Sequence, residues 1–396
     1  MRLLSIAILF CCLSCIGITA FGQHEFYVKG EVDHINDGEV VALFRYRDGS
    51  IDAASTDTIH NGKFLFRDTA SQPTLYWILG QGDNFSRYPL EIWAAPGITI
   101  TISGKGYGLR TWDVKSSLHN QLEENQLLAP SVADWNKVQE LEIQRKQMLR
   151  ALQHSTGAEK DSLASIRDHL SRQMDSVMEN ITRTQIELLQ TLAVTDIWLT
   201  KMYNLSFGSM LYHKTSVHDS LLQLYKRIPD KQRTSPIGEK ITAALFPPPV
   251  VKDGEAMADM PLLDTQMAVH KLAEYKSRGK YLLLDFWFIN CGPCELAIPE
   301  TIALQDSLIN KLSIVSINVD ETAYWKANLK GKQISRINLN DGKGRLGLAN
   351  WYGVIGYPHY VVISPEGIVI GAWTGYEKGE LTQKVTQILL HHSHQK

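Results

Sequence analysis

The chain is poor in cysteine. Five occur in 396 residues, and three of them precede residue 16. That scarcity excludes a small disulfide-stapled scaffold, whose cysteines would be spread along the chain. A surplus of charge is also missing: 40 Lys+Arg stand against 42 Asp+Glu, a formal net of −2, with no block of like charge. A protein that neutralises a nucleic-acid backbone carries a basic excess, so no nucleic-acid partner is expected. No nucleotide-binding fingerprint is evident, and no internal repeat occurs. What is present is an ordinary folded-protein composition, 44% hydrophobic and 21% charged, long enough for two or three domains.

The one long apolar run is N-terminal. Arg2 precedes Leu3–Ile18, and small residues follow at Ala20 and Gly22. This is the layout of a secretory signal peptide over residues 1–22. The run is short for a bilayer span of ~17–25 residues and lacks a basic stop-transfer flank. Leu13-Ser14-Cys15 partly resembles a lipobox, which makes lipoprotein anchoring at Cys15 the alternative. Either way the mature chain is expected in the periplasm or cell envelope, where disulfides persist. Cleavage after Gly22 removes Cys11, Cys12 and Cys15 and leaves only Cys291 and Cys294.

Three zones follow. Residues 24–113 hold short β-branched and aromatic runs, such as Val40–Phe44 and Ile98–Ile102, separated by turn signals. They are expected to form an antiparallel β-sandwich, with Asn61-Gly62 as the turn of a hairpin. Residues 114–245 lose most glycine and proline and carry apolar residues three to four apart: Leu141, Met148, Leu149 and Leu152, then Leu163, Ile166, Leu170 and Met174. A central helical domain is predicted, its stripe buried helix on helix. Phe246-Pro247-Pro248-Pro249 opens a Pro-rich linker over 246–253, an extended spacer. From 254 to 392 strand and helix patterns alternate, as in an α/β domain. The fold class is therefore multidomain.

Within that last zone, Tyr281–Phe288 is an apolar run of strand length, followed by Cys291-Gly292-Pro293-Cys294 and a helical segment. Cys291 falls at a helix N-terminus, where backbone N–H groups and the dipole favour a thiolate. Pro293 suits the first turn, since its missing N–H costs nothing there. Cys294, one turn in, is expected beneath an exposed Cys291. Two cysteines so close gain almost no chain-entropy stabilisation from a disulfide. A zinc site lacks its second pair of ligands, because His391, His392 and His394 lie in a polar tail. Thiol–disulfide exchange, which uses an attacking and a resolving sulfur, accounts for the pair.

Residues 254–392 resemble the thioredoxin superfamily, most closely the exported TlpA/ResA-like thiol–disulfide oxidoreductases. The resemblance rests on Leu284-Asp285-Phe286-Trp287, the CGPC tetrapeptide, Pro299, the strand Ile314–Asp320 and the segment Tyr352–Pro358. It implies Cys291 as nucleophile, Cys294 as resolving thiol, and Asp285 as a buried carboxylate moving protons to and from Cys294. It also implies a cis Tyr357–Pro358 bond beside the disulfide. Trp287, Pro293 and Tyr357 would bind substrate, with the Tyr357 backbone pairing with an extended chain. Asn290 stands where thioredoxins usually carry Trp, and Ser316 where a Lys often lies. The implied function is reduction of protein disulfides, with no cofactor beyond the redox-active Cys291–Cys294 disulfide. Electrons would come from a membrane thiol-relay donor. The alternatives are a disulfide isomerase, for which a homodimer is expected, and an envelope binding or scaffold module with a vestigial redox site. The β zone also resembles domains of unknown function that precede exported thioredoxin modules.

Overall fold

The computed structural model describes residues 24–47, 50–211, 215–276, 279–329 and 337–394. The expected leader 1–22, with Cys15, lies outside them. Packing divides the chain into two compact units: residues up to Arg45 with Ala53–Leu128, and Tyr46–Asp52 with Ala129–Lys396. Among the described residues no helix is long and apolar enough to cross a membrane.

The first unit is built on β1 (Glu25–Asp33), β2 (Val40–Arg47) and β3 (Ser50–Thr58) apart from their residues within 46–52, β4 (Lys63–Thr69), β5 (Thr74–Gly80), β6 (Leu90–Ala94), β7 (Thr99–Lys105) and β8 (Asp113–Lys115). They form two four-stranded sheets, ordered β4-β1-β7-β8 and β3-β2-β5-β6. Alternation does the sorting: Phe26, Val28 and Val32 of β1 are buried between half-buried or exposed neighbours. One hydrophobic cluster takes Phe26, Phe66 and Ile100 from the first sheet and Leu43, Tyr76 and Ile92 from the second.

The expected hairpin at Asn61-Gly62 forms only at its turn, with one antiparallel bridge and no ladder beyond it. Both residues do adopt positive φ, 51° and 73°, and His60 and Lys63 exchange backbone hydrogen bonds across them. Beyond that rung the strands part, β3 pairing with β2 and β4 with β1. The Asp57 carboxylate accepts the Leu65 N–H at 2.7 Å. A side chain thus takes a backbone donor that a ladder would otherwise use, and the turn carries the chain from one sheet to the other.

Helix α1 (His119–Leu128) belongs to the first unit. Its Gln121 accepts the Trp93 N–H at 2.7 Å, and its Asn125 donates to the Val114 carbonyl at 2.7 Å. The compositional boundary at 113/114 and the packing boundary after Leu128 are therefore different places. The second unit continues with α2 (Val132–His154), α3 (Gly157–Thr191), α4 (Asp196–Leu211), α5 (His218–Lys226), α6 (Asp230–Arg233) and α7 (Pro236–Leu245). In the α2–α3 pair, Leu141, Leu170 and Met174 form the buried cluster. The stripe expected to be buried throughout is not: Leu149 is 40% and Ile166 44% exposed.

The remainder is a seven-stranded sheet. Its elements are β9 (Leu262–Leu263), β10 (Val269–His270), α8 (Leu272–Tyr275), β11 (Tyr281–Trp287), α9 (Gly292–Ser307), β12 (Leu312–Asn318), α10 (Thr322–Asn328), β13 (Ile337–Asn340), α11 (Leu348–Trp351), β14 (His359–Ile363), β15 (Val369–Thr374) and α12 (Glu380–His394). The strand order is β10-β9-β13-β12-β11-β14-β15, with β11 parallel to β12 and antiparallel to β14. Each face has its own core. Leu282, Leu284 and Phe286 pack with Val315, Ile317 and Val361 on one side. Leu283 packs on the other with Ile314, Val362, Leu304 of α9 and Val385 of α12. Both faces being covered explains why β11 is apolar at every position but Asp285. The Pro-rich segment does not hang free at its end: Val251 donates to the Trp351 carbonyl at 2.8 Å and packs on the sheet's core.

Candidate active site

Strand β11 ends at Trp287, and four residues later Cys291 caps α9. Asn290, with φ of 63°, turns the chain between them. Asn and Asp tolerate that left-handed conformation better than bulky residues do. Gly292 and Pro293 start the helix, and the Cys294 N–H donates to Cys291 Sγ at 3.2 Å. The cysteines are joined as a disulfide, their Cα atoms 5.2 Å apart.

One expectation about this pair is corrected. Cys291 is not the exposed member: it is 2% exposed against 7% for Cys294. In the disulfide state Cys291 lies in a cluster with Trp287, Ile289 and Trp325, against which Phe288, Tyr324 and Tyr357 pack. The sequence places a cysteine at a helix tip, but it does not show the aromatic side chains that close over it.

Pro358 follows a cis peptide bond from Tyr357. The Tyr357 ring meets Phe288 edge-on, centroids 5.3 Å apart, and joins the cysteine cluster. Its hydroxyl is buried without a hydrogen-bond partner among the described residues. Burial pushes its pKa up to about 12, against the opposing field of Arg345, whose guanidinium lies 5.2 Å from the ring centroid. Trp287, Tyr357, Cys291 and Cys294 are thus gathered at one end of the sheet.

Asp285 is one strand turn before Trp287 and shares its face, together with Leu283, by the two-residue period of β11. That is the face covered by α9, which carries Cys294. Although the residue keeps partial exposure, desolvation of its carboxyl dominates and raises its pKa to about 7. The opposing influence is the Ser316 hydroxyl, which donates to Oδ2 at 3.2 Å from the register-paired position on β12. A carboxyl poised near neutrality can accept or give a proton at physiological pH.

Sequence reasoning missed a polar brace beside the cysteines. Asp320, just past β12, accepts the Ile289 N–H at 2.7 Å and the Asn318 amide at 2.9 Å. Asn340 of β13 donates to the Asn318 and Asp320 carbonyls at 3.1 and 2.8 Å. The brace fixes the segment leading to Cys291 from two neighbouring strands. Its signal was the polar Asn318 and Asp320 closing an apolar strand. His359, directly after Pro358, was also missed. Its Nδ1 is 2.7 Å from Thr374 Oγ1, and burial lowers its pKa to about 4, so the ring is neutral at pH 7.

With this geometry in hand, a family model described as thioredoxin-like domain matches residues 269–389. The C-terminal domain is thioredoxin-like. A thioredoxin-like protein of Bacillus subtilis, YneN, is 26% identical over 145 residues, covering 34% of this chain and 79% of that protein. Among solved structures, the pneumococcal exposed lipoprotein thioredoxin of Streptococcus pneumoniae is 24% identical, spanning 33% of this chain and 99% of that one, with a TM-score of 0.30. A thiol-disulfide oxidoreductase from Bacteroides fragilis is 21% identical, spanning 34% and 99%, with a TM-score of 0.31. Outside the thioredoxin-like domain, the β unit and the helices α2–α7 lie beyond the matched range.

Proposed function

We propose that the protein is an exported thiol–disulfide oxidoreductase that reduces protein disulfides through Cys291 and Cys294. The observation that carries this reading is the cysteine pair at a strand–helix junction, packed against Tyr357 of the cis-proline segment. The match to a thioredoxin-like family supports an oxidoreductase. In the reduced enzyme the Cys291 thiolate attacks one sulfur of a substrate disulfide and releases the other as a thiolate. Cys294, losing its proton to the Asp285 carboxylate, then attacks the Cys291 sulfur. The second substrate thiol departs and the enzyme disulfide forms, so two electrons have passed to substrate. A membrane thiol-relay donor restores the dithiol.

Substrate would engage over Trp287, Pro293 and Tyr357, beside the buried Cys291. Extended substrate would pair with the Tyr357 backbone. The N-terminal sheets are read as the two faces of a β-sandwich, on the strength of their shared core. Export rests on the apolar leader 1–22.

Trapping tests the reading. Cys294→Ser should hold substrate on Cys291 as a stable mixed disulfide, visible on non-reducing gels and released by dithiothreitol. Cys291→Ser should lower insulin-disulfide reduction by at least ~10³-fold, since no second nucleophile replaces it. Reduction at the parental rate by Cys291→Ser would end the proposal.

A further inference from the structure

Strand register sets one row of side chains across four strands of the seven-stranded sheet. Ser316 of β12, Asp285 of β11, Tyr360 of β14 and Trp373 of β15 are successive register partners. Asp285 and Tyr360 oppose each other in an antiparallel pair, where directly opposed Cα atoms stand ~4.5–5.5 Å apart. Both lie on the face covered by α9 and α12, because Tyr360 packs in one cluster with Leu283, which shares the Asp285 face. The carboxyl therefore has a hydroxyl donor on one flank and an aromatic residue on the other.

Tyr360 is fully buried, and Trp373 stacks on its ring with centroids 5.1 Å apart and planes at 30°. The Tyr360 hydroxyl makes no hydrogen bond to the carboxylate, whose side-chain donor is Ser316. Burial raises the pKa of the phenol, and of the charges that bear on it the Asp285 carboxylate comes first. What Tyr360 gives Asp285 is hydrocarbon in place of water, and desolvation of that kind favours the protonated carboxyl. Titratable groups on the elements packed here include Cys294 and Glu300 on α9, Lys384 on α12, Tyr376 after β15 and Tyr281 on β11 itself. Glu300 accepts the Gly379 and Thr382 N–H groups at 2.8 Å, and Lys384 pairs with Glu380 at 2.7 Å. The influences on the Asp285 carboxyl are burial, which comes first, and the Ser316 hydroxyl; none of those groups is among them.

We propose that Tyr360, held in place by Trp373, is a positioning residue for the proton step: its ring excludes water from the β14 side of Asp285 and so sets how firmly the carboxyl takes the proton of Cys294. This role rests on the proton transfer proposed above for Asp285. In that step the Cys294 S–H proton passes to the carboxylate and a Cys294–Cys291 bond forms. The bond from Cys291 to the substrate sulfur breaks, and the substrate leaves as a thiolate.

The experiment is a carbon-13 NMR titration of the Asp285 carboxyl in the full-length oxidised protein. Wild type should titrate at about pH 7. Tyr360→Thr, which opens that flank to water, should lower the midpoint by about one pH unit, a ten-fold loss of proton affinity. Tyr360→Phe keeps the ring and should leave the midpoint in place. Trp373→Ala, at a half-buried position, should loosen the ring and lower the midpoint by about half a unit, about three-fold in affinity. It carries the test if Tyr360→Thr does not fold. The pH profile of mixed-disulfide resolution should move down with the midpoint in each variant. An unmoved midpoint in Tyr360→Thr, or in Trp373→Ala where that variant alone folds, would overturn the proposal. So would a shift in Tyr360→Phe as large as that in Tyr360→Thr. A midpoint that moves while the resolution profile stays put would overturn the link to Cys294. The titration needs no turnover, so it reads the effect of Tyr360 even where Cys291→Ser keeps the parental reduction rate and the reductase reading falls.

Discussion

Asp285 and Asp320 are buried carboxylates at the same end of one sheet, and their surroundings differ in the number of donors supplied. Asp320 receives a backbone N–H and an amide N–H on one oxygen. Asp285 receives the Ser316 hydroxyl at 3.2 Å, while burial works against its charge. A buried carboxylate that is well supplied with donors holds backbone in place, whereas one left short of them is held near its titration point. The reading assigns the first to architecture and the second to proton transfer.

The largest effect that would break this comparison is in stability against pH. The native pKa of Asp285, about 7, lies above the ordinary carboxylate value of 3.8. Between those values the native state keeps a proton that the unfolded chain has lost. The carboxyl's contribution to stability is therefore complete below about pH 4 and is lost as pH rises towards 7, by up to about 4 kcal/mol. Urea melts of wild type minus Asp285→Asn across pH 4–8 should show that fall; a flat difference would refute the assignment. Next, Asp320→Ala leaves the Ile289 N–H and the Asn318 amide without their acceptor and should cost about 3 kcal/mol at neutral pH. Asp285→Asn should by contrast leave neutral-pH stability unchanged or higher.

In catalysis the order reverses. Asp285→Asn should slow resolution of the mixed disulfide by about 10²-fold and remove an inflection near pH 7 from the rate profile. Stopped-flow thiol release would measure both. The smallest effect is expected from Ser316→Ala, which removes the donor that favours the charged form. It should move that inflection to higher pH while changing the rate at pH 8 only a few-fold.

Much of the site was legible because it is local. The CGPC tetrapeptide behind an apolar strand placed the cysteines at a helix tip, where α9 begins at Gly292. The thioredoxin resemblance implies a buried Asp285 carboxyl and a cis Tyr357–Pro358 bond, and both are present. The failures were all failures of partner choice. Asn61-Gly62 has the conformation of a hairpin turn, yet its flanking strands belong to different sheets. Leu149 and Ile166 obey helical periodicity, yet they remain exposed on the α2–α3 pair. Periodicity tells which face is apolar; it does not tell whether anything arrives to cover it. Cys291 shows the same gap from the other direction, since Trp325 and Tyr357 come to it from distant positions.

By itself, then, the sequence determined the class of chemistry, two sulfurs one helical turn apart, and the alternation of apolar residues that makes a doubly covered sheet. Those properties depend on neighbours within a few residues, so they are written in short-range order. Only the tertiary structure decided which side chains close over Cys291 and which strand supplies a donor to Asp285. Each of these depends on residues tens of positions apart being brought into contact, which the burial of apolar surface accomplishes and no local pattern specifies.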